Sequence, residues 1–378
     1  MGSKREILSY IDKAVEELQV NSSCFCDLFS GTAVVSAAFL DRYDVISNDI
    51  QQYSSVFANT YSSNIAENVD EGFCEIVARK AECLVNEFYN KFPQYQFDYS
   101  NIRDYEDLTD IEKRQQRLIE ENFDLGFSLF AKNYSGTYWS YEQCVWIDSI
   151  RAVAEDYKDS DGYYAILSAL IFAMSYTTQS TGHFAQYREV TRQNVEDILL
   201  YRKKDILSIF VKKLNELLLL LNTTPNHSMT VTTLDYLDCL RIVPEESIIY
   251  ADPPYSAVHY SRFYHVIETL VRYDHPHLEY KGRYRDDRYQ SPFDKRKEVI
   301  NAFELLFKAV DERKSHLILS YSDNGLVKYN DLLEIGERMV GNRYDISLKE
   351  KNYTHSKMGR SDENRLDVNE LLFSFRRR

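Results

Sequence analysis

Two short apolar runs, Cys24 to Phe29 (CFCDLF) and Ser247 to Ala251 (SIIYA), constrain this chain more than any other feature. They are too brief for core helices and lack the polar alternation of a strand with one wet face. Runs of this kind read as strands buried on both faces, the signature of a parallel sheet covered by helices on each side. The second run ends abruptly at Asp252-Pro253-Pro254-Tyr255. Two prolines can neither continue a ladder nor enter a helix interior, so the strand must stop in a rigid turn there.

The alternation continues around these runs. Gly31 supplies a turn after the first strand, and Val34 to Tyr43 reads as the following helix. Asp44 to Ser47 reads as a second strand ending at Asn48-Asp49. Further strands are expected at Met229 to Thr233, His316 to Ser320, Tyr344 to Lys349 and Glu370 to Phe375, with helices at His265 to Tyr273 and Asn301 to Val310. The last two strands leave little room for a crossover helix and predict an antiparallel pair at the sheet edge. Between Gln52 and Asn226 the periodicity is mainly helical. The fold class is therefore α/β: a Rossmann-like, doubly wound, seven-stranded sheet with a largely helical inserted domain. Residues 1–52 and 226–378 form the sheet domain and residues 53–225 the insertion.

Composition narrows the function classes. The 378 residues, 44% of them hydrophobic, suffice for proper cores. No stretch approaches the roughly 20 apolar residues of a membrane span or resembles a secretion signal, which predicts a soluble, cytoplasmic protein. The six cysteines include no Cys-x-x-Cys pair and the eight histidines no ligand spacing, so neither disulfides nor a metal is expected. The net charge of −14 argues against nucleic acid at first sight. Binding depends on a local basic face, however, and Lys281 to Lys297 carries seven basic residues against three acidic ones, interleaved with tyrosines. A solvated loop accounts for that run equally well.

Chemistry concentrates at two strand ends. The stretch Asp27-Leu28-Phe29-Ser30-Gly31-Thr32-Ala33 is a strand running into a small-residue turn, which in a doubly wound sheet faces the ligand edge. Asp49, 18 positions beyond Gly31, sits where an acid accepts hydrogen bonds from ribose hydroxyls, although capping the next helix is an equally ordinary use. The full G-x-G-x-x-G series is absent, which disfavours a dehydrogenase. At the second strand end, a fixed Asp252 carboxylate and an unladdered Pro253 carbonyl are two acceptors suited to the hydrogens of an amino group. They favour a pyramidal, nucleophilic nitrogen where the lone pair would otherwise be delocalised into a base. Tyr255 supplies an aromatic face for a base outside the duplex stack.

These motifs resemble the D12 class of adenine-specific DNA methyltransferases, the Dam-like alpha group, in which the donor site precedes an insertion and then the catalytic tetrapeptide. The resemblance implies a methyl transfer from S-adenosyl-L-methionine to N6 of an adenine flipped out of double-stranded DNA, in a bacterial, archaeal or phage setting and with a cognate restriction endonuclease as a partner to consider. It implies catalytic roles for Asp252, Pro253, Pro254 and Tyr255. It implies donor contacts from Gly2, Ser3, Lys4, Asp27, Phe29, Ser30, Gly31, Thr32, Ala33, Asp49, Ile50, Asp235, Tyr236 and Asp252, with Asp235 on the donor's adenine and Gly2-Ser3-Lys4 at its methionine end. Ala33 departs from the family's usual second glycine. Tyr141 and its neighbours (YWSYEQCVWIDSIR), Thr181 to Tyr187 and His259 to Leu270 extend the resemblance. His183, Gln186, Tyr187, His259, Tyr260, Arg283, Arg285 and Arg288 are the residues put forward for DNA contact. RNA or cytosine N4 as substrate, and a non-catalytic binding module, remain as alternatives, with the aspartate of the tetrapeptide leaning towards adenine.

Overall fold

A computed structural model describes residues 4–180, 183–354 and 367–378 of the chain. Packing divides it into two compact units, residues 1–62, 224–263 and 288–378 forming the first and residues 63–223 and 264–287 the second.

The first unit is built on a seven-stranded sheet: β1 (Cys24–Asp27), β2 (Asp44–Asn48), β3 (Met229–Thr232), β4 (Ile248–Ala251), β5 (His316–Ser322), β6 (Tyr344–Thr354) and β7 (Asp367–Arg377). Their spatial order is β3-β2-β1-β4-β5-β7-β6. The first five are parallel. β7 runs antiparallel between β5 and β6. The edge pair expected from sequence is thus present, with the last strand on its inner side.

Pleating sends alternate residues of β1 to opposite cores. Cys24 and Cys26 pack with the helices Tyr236–Ile242, Val299–Glu312 and Tyr329–Val340, while Phe25 packs with the helix Leu8–Leu18 and with Val35 and Phe39 of the helix Val34–Phe39. Both faces are buried, which is why the strand sequences are continuously apolar. Of the cysteines, Cys24, Cys26, Cys74, Cys144 and Cys239 are buried and Cys83 is exposed, and all are free thiols.

The second unit is mainly helical, with helices that include Phe73–Lys91, Tyr105–Gln116, Tyr141–Glu155, Asp161–Thr177 and Ile206–Leu220. Ser140 caps the helix Tyr141–Glu155 in a reciprocal box with Gln143, its hydroxyl accepting from the Gln143 amide at 3.2 Å. The compact units divide the chain differently from the boundaries expected at 52/53 and 225/226. The helix Gln52–Ser62 packs in the first unit, and the segment 264–287 in the second. Its buried partners explain the latter: Arg151 donates to the Leu270 carbonyl at 2.8 Å and the Val271 carbonyl at 3.2 Å, satisfying the carboxyl end of the helix Ser261–Arg272. Tyr273 donates to Asp148 at 2.5 Å.

A short hairpin pairing Leu278–Glu279 with Tyr284–Arg285 replaces the basic loop expected at its start. A buried polar knot secures the helical unit. Glu112 accepts from Arg202 Nε and from the Tyr99 hydroxyl, each at 2.8 Å, and Gln115 bridges Tyr99 to the Tyr141 amide. Neither ion is appreciably exposed. Removing one partner strands the other in a low-dielectric interior. Arg202→Met should therefore destabilise the chain by about 3–5 kcal/mol, read as a lowered denaturation midpoint; a loss below about 1 kcal/mol would show that the pair is in effect solvated.

Candidate active site

The first unit gathers the carboxyl ends of β1, β2 and β4. Backbone pairing ends at Asp27↔Tyr250 between β1 and β4 and at Ala251↔Leu319 between β4 and β5. The chain therefore leaves the sheet at the start of the small-residue turn and at the start of Asp252-Pro253-Pro254-Tyr255.

Gly31 and Ala33 both adopt the left-handed conformation, with φ of +51° and +54°. The conformation is natural for glycine and mildly costly for alanine, so Ala33 occupies a position that glycine would fill without strain. No atom lies within 4 Å of the point where a Gly31 side chain would begin. The turn faces open space, with Ser30 and Thr32 only partly buried beside it.

Asp49 ties this turn to the second strand, its carboxylate accepting from the Gly31 amide at 3.0 Å and the Gln51 amide at 2.9 Å. The carboxylate thus holds the Gly31 turn against the segment that leads into the helix Gln52–Ser62. Burial raises its carboxyl above the usual range against those two bonds. Ile50, beside it, is partly buried.

Asp27 lies underneath the turn. It is 1% exposed and accepts from the Ser36 amide at 3.0 Å and the Ser36 hydroxyl at 2.7 Å. Its part is to pin the helix that follows.

The carboxyl-edge network depends on a residue that sequence reading passed over. The Asn48 side chain donates to the Leu28 carbonyl at 3.1 Å and the Leu234 carbonyl at 3.2 Å, and accepts from the Thr232 hydroxyl at 2.8 Å and the Leu234 amide at 3.0 Å. One buried amide thus clamps the segments leaving β1 and β3 to the end of β2. Its only sequence signal was an amide at the end of an apolar strand, where a strand terminus was explanation enough.

Phe29 meets Phe293 edge-on at 5.6 Å and stacks on Tyr236 at 6.1 Å. Tyr236 itself is buried, its hydroxyl donating to the Ala302 carbonyl, so it supports the wall from behind. Asp235 caps the helix Tyr236–Ile242 through the Leu237 amide at 3.0 Å and accepts from the Tyr289 hydroxyl at 3.2 Å. Phe293 and Tyr289 come from the run Lys281 to Lys297, whose basic residues and tyrosines were weighed for nucleic acid and not for this wall.

At the tetrapeptide, Pro253 is buried and Tyr255 is partly buried, its ring edge-on to Tyr321 at 6.4 Å. The Tyr255 carbonyl accepts from the Leu326 amide at 3.0 Å, fixing the turn to the segment after β5. Lys4, expected at a donor's methionine end, places its ammonium 3.0 Å from Asp252 and 2.6 Å from Glu370. Burial and the nearby Glu370 raise the Asp252 carboxyl against the lowering effect of Lys4. Gly2 and Ser3 lie outside the described residues, as do Thr181, Gly182 and the polar segment 358–365. The strand expected at His316 to Ser320 runs on to Ser322, so Tyr321 and Ser322 are inside β5.

The residues put forward for nucleic-acid contact separate by unit. In the first, His259 sits 3.4 Å from the buried Asp294, and Tyr260 and Arg288 are partly buried. In the second, Tyr138 donates to the Phe184 carbonyl at 2.6 Å and the Gly282 carbonyl at 3.1 Å, and Tyr284 donates to the Ala185 carbonyl. These bonds bring the stretch of His183, Gln186 and Tyr187 beside the hairpin turn that carries Arg283. Gln186 is exposed there. Arg285 corrects the expectation for it: 2% exposed, it donates to Asp274 at 2.6 and 2.8 Å and to Asp287 at 2.9 and 3.0 Å. It is an internal strut, whose charge is spent on carboxylates of its own unit. Among the described residues no three His, Cys, Asp or Glu side chains gather as a metal site, and no helix is long and apolar enough to cross a membrane.

A five-stranded parallel sheet closed by an antiparallel pair, with a small-residue turn and Asp-Pro-Pro-Tyr at its carboxyl edge, defines the Rossmann-like methyltransferase class. Within that class residues 1–321 match the D12 class N6 adenine-specific DNA methyltransferases, and the chain belongs to that family. It is 24% identical to the modification methylase LlaI of Lactococcus lactis subsp. lactis, over 90% of this chain and 48% of that protein. It is 25% identical to the type II methyltransferase M.FokI of Planomicrobium okeanokoites, over 89% and 46%, and 23% identical to M.NlaIII of Neisseria lactamica, over 92% and 89%. The chain spans about half the length of the first two.

Two outcomes follow for this edge. Asn48→Ala leaves buried carbonyl and amide groups unpaired, each worth about 1–3 kcal/mol, so it should lower the melting temperature and loosen the turn. Burial raises the Asp27 carboxyl to about 7. Its proton is held more tightly in the folded chain than in the unfolded one, so stability is highest below the unfolded value and declines as the pH rises towards 7. Asp27→Asn removes that titration while retaining an acceptor for Ser36. In urea melts the variant should gain on wild type by up to a few kcal/mol between pH 5 and pH 8; parallel stability curves would contradict the buried, titrating carboxyl.

Proposed function

We propose that this chain transfers a methyl group from S-adenosyl-L-methionine to N6 of an adenine flipped out of duplex DNA at a specific sequence. The observation that carries the reading is the Asp252 carboxylate, delivered by a buried strand into a double-proline turn, at the same sheet edge as the Gly31 turn and Asp49.

The open face of the Gly31 turn fits a donor lying against backbone. Asp49 suits its ribose hydroxyls, Phe29 its adenine face and Asp235 the adenine amino group. When bound, the donor supplies a methyl group on a positively charged sulfur. Asp252 accepts a hydrogen bond from the target amino group and the Pro253 carbonyl accepts the other, which tips the nitrogen lone pair out of the ring plane. Tyr255 offers its face to the base, replacing the stacking lost on leaving the helix. The ionised Asp252 carboxylate is the stronger acceptor and carries the charge that draws the amino hydrogens, so activity should fall on the acid side at a pH above the ordinary carboxylate range, in keeping with the raised Asp252 carboxyl.

In the second unit, Gln186, Tyr187 and Arg283 are the side chains suited to reading or gripping DNA. The names of the similar proteins support a modification role, in which the mark shields a site from an endonuclease of matching specificity. That role would place the chain with DNA in the cytoplasm.

Tritiated S-adenosyl-L-methionine and unmethylated duplex DNA, followed by nucleoside mass spectrometry, test the proposal. N6-methyladenine confined to one short sequence is the expected product. Label on cytosine or on RNA would replace the substrate assigned here, and donor binding without transfer would defeat the catalytic reading. Asp252→Ala should abolish turnover, by at least about 1000-fold, while donor affinity measured by calorimetry changes little.

A further inference from the structure

Four polar groups from four separate segments meet behind the tetrapeptide. Lys4 precedes the first long helix, Asp252 follows β4, Ser320 lies in β5 and Glu370 in β7. The Lys4 ammonium is 3.0 Å from the Asp252 carboxylate, 2.6 Å from Glu370 and 3.2 Å from the Ser320 hydroxyl, which itself donates to Glu370. The Glu370 side chain is 4% exposed, and those of Lys4 and Asp252 are 21% and 23% exposed.

A carboxylate this deep is costly unless something requires its charge, and replacing such ions with apolar groups is often neutral or stabilising. Ser320 and Lys4 satisfy Glu370, and in return Glu370 holds Lys4 in place. Lys4 is thereby left with one direction in which to offer its remaining charge, towards Asp252.

We propose that Glu370, with Ser320, is a positioning residue that anchors the Lys4 ammonium against Asp252, fixing the orientation of the Asp252 carboxylate and countering its charge. In catalysis this rests on Asp252 being the acceptor for the target amino group; the electrostatic arrangement stands independently of the substrate. Two carboxylates share one ammonium, so each variant has a definite sign. Glu370→Gln removes a like charge from Asp252 but keeps acceptors for Lys4 and Ser320, and Asp252 should titrate at lower pH. Lys4→Met removes the opposite charge and leaves two facing carboxylates, and Asp252 should titrate at higher pH. Among the described residues the other ionisable groups acting on this cluster include Tyr250 of β4, Tyr255 of the tetrapeptide, Asp27 beneath the turn and Tyr10 of the helix Leu8–Leu18. All are unchanged in both variants. Burial keeps the four tyrosine and aspartate groups above their usual ranges, so none of these tyrosines supplies a competing charge near neutrality.

The test uses the full chain labelled with carboxyl-13C aspartate, the Asp252 signal being assigned by its loss in Asp252→Asn. Titrated by NMR, the signal should move by roughly one pH unit or more in each variant, downward for Glu370→Gln and upward for Lys4→Met. The acid limb of the kcat profile should move with it, while the KM for DNA stays within about twofold. Opposite displacements in folded variants support the proposal. Unmoved or same-direction titrations would overturn it, as would a Glu370→Gln variant that loses thermal stability with its Asp252 titration unchanged. Should Glu370→Gln not fold, the Lys4→Met titration decides alone. Absence of methyl transfer in wild type would count against the proposed activity and leave the NMR outcome to judge the ion cluster.

Discussion

Burial of a parallel sheet on both faces is the constraint from which the rest of this structure follows. With helices packed against Phe25 on one side and Cys24 and Cys26 on the other, no side chain in the middle of β1 can meet a ligand. The strand ends are the available positions. In a parallel sheet the carboxyl ends of β1, β2 and β4 lie together, so the Gly31 turn, Asp49 and the Asp252 tetrapeptide are neighbours although more than 200 positions separate the first from the last. The chemistry is placed by what the core excludes.

The edge so created is rich in acids that water does not fully stabilise. Asp27, Asp49 and Asp252 are all raised by burial, each through a different neighbourhood. Asp27 is met by Ser36, Asp49 by backbone amides, and Asp252 by Lys4. The first two are held by neutral dipoles and support backbone geometry. Only Asp252 has a cation, which is consistent with its being the carboxylate whose charge must face a reactant. A similar economy explains Arg285. Its guanidinium looked like part of a basic face, yet its two carboxylate partners make it neutral to anything outside. Charge counted along a sequence overstates charge presented at a surface whenever ion pairs close within a unit.

Much of the fold was legible because strand and helix periodicities are local. The apolar runs, the glycine turn and the double proline each announce themselves within ten residues, and the closing antiparallel pair shows in two neighbouring strand patterns with little chain between them. Legibility fails where a contact is made across the chain. The helix Ser261–Arg272 has an ordinary amphipathic pattern, and nothing in it shows that Arg151, 119 positions before Leu270, will cap its end. The hairpin at 278–285 has strands of two residues, too short for any alternation to register. Asn48 was hidden for the opposite reason, since its place at a strand end already had an adequate explanation. Its four bonds span residues 28 to 234.

By itself, then, the sequence determined the class of sheet, the positions of the two turns at its carboxyl edge and the identity of the acidic tetrapeptide, because each depends on residue types within a single strand and its exit. Tertiary structure alone decided which of the charged residues face outward, which segments pack with the helical unit, and that Lys4, Ser320 and Glu370 converge on Asp252. Convergence of that kind is a property of strand order and register. A side chain's partner across the sheet is set by the pairing of backbones far apart in the chain, and no local pattern of residues encodes it.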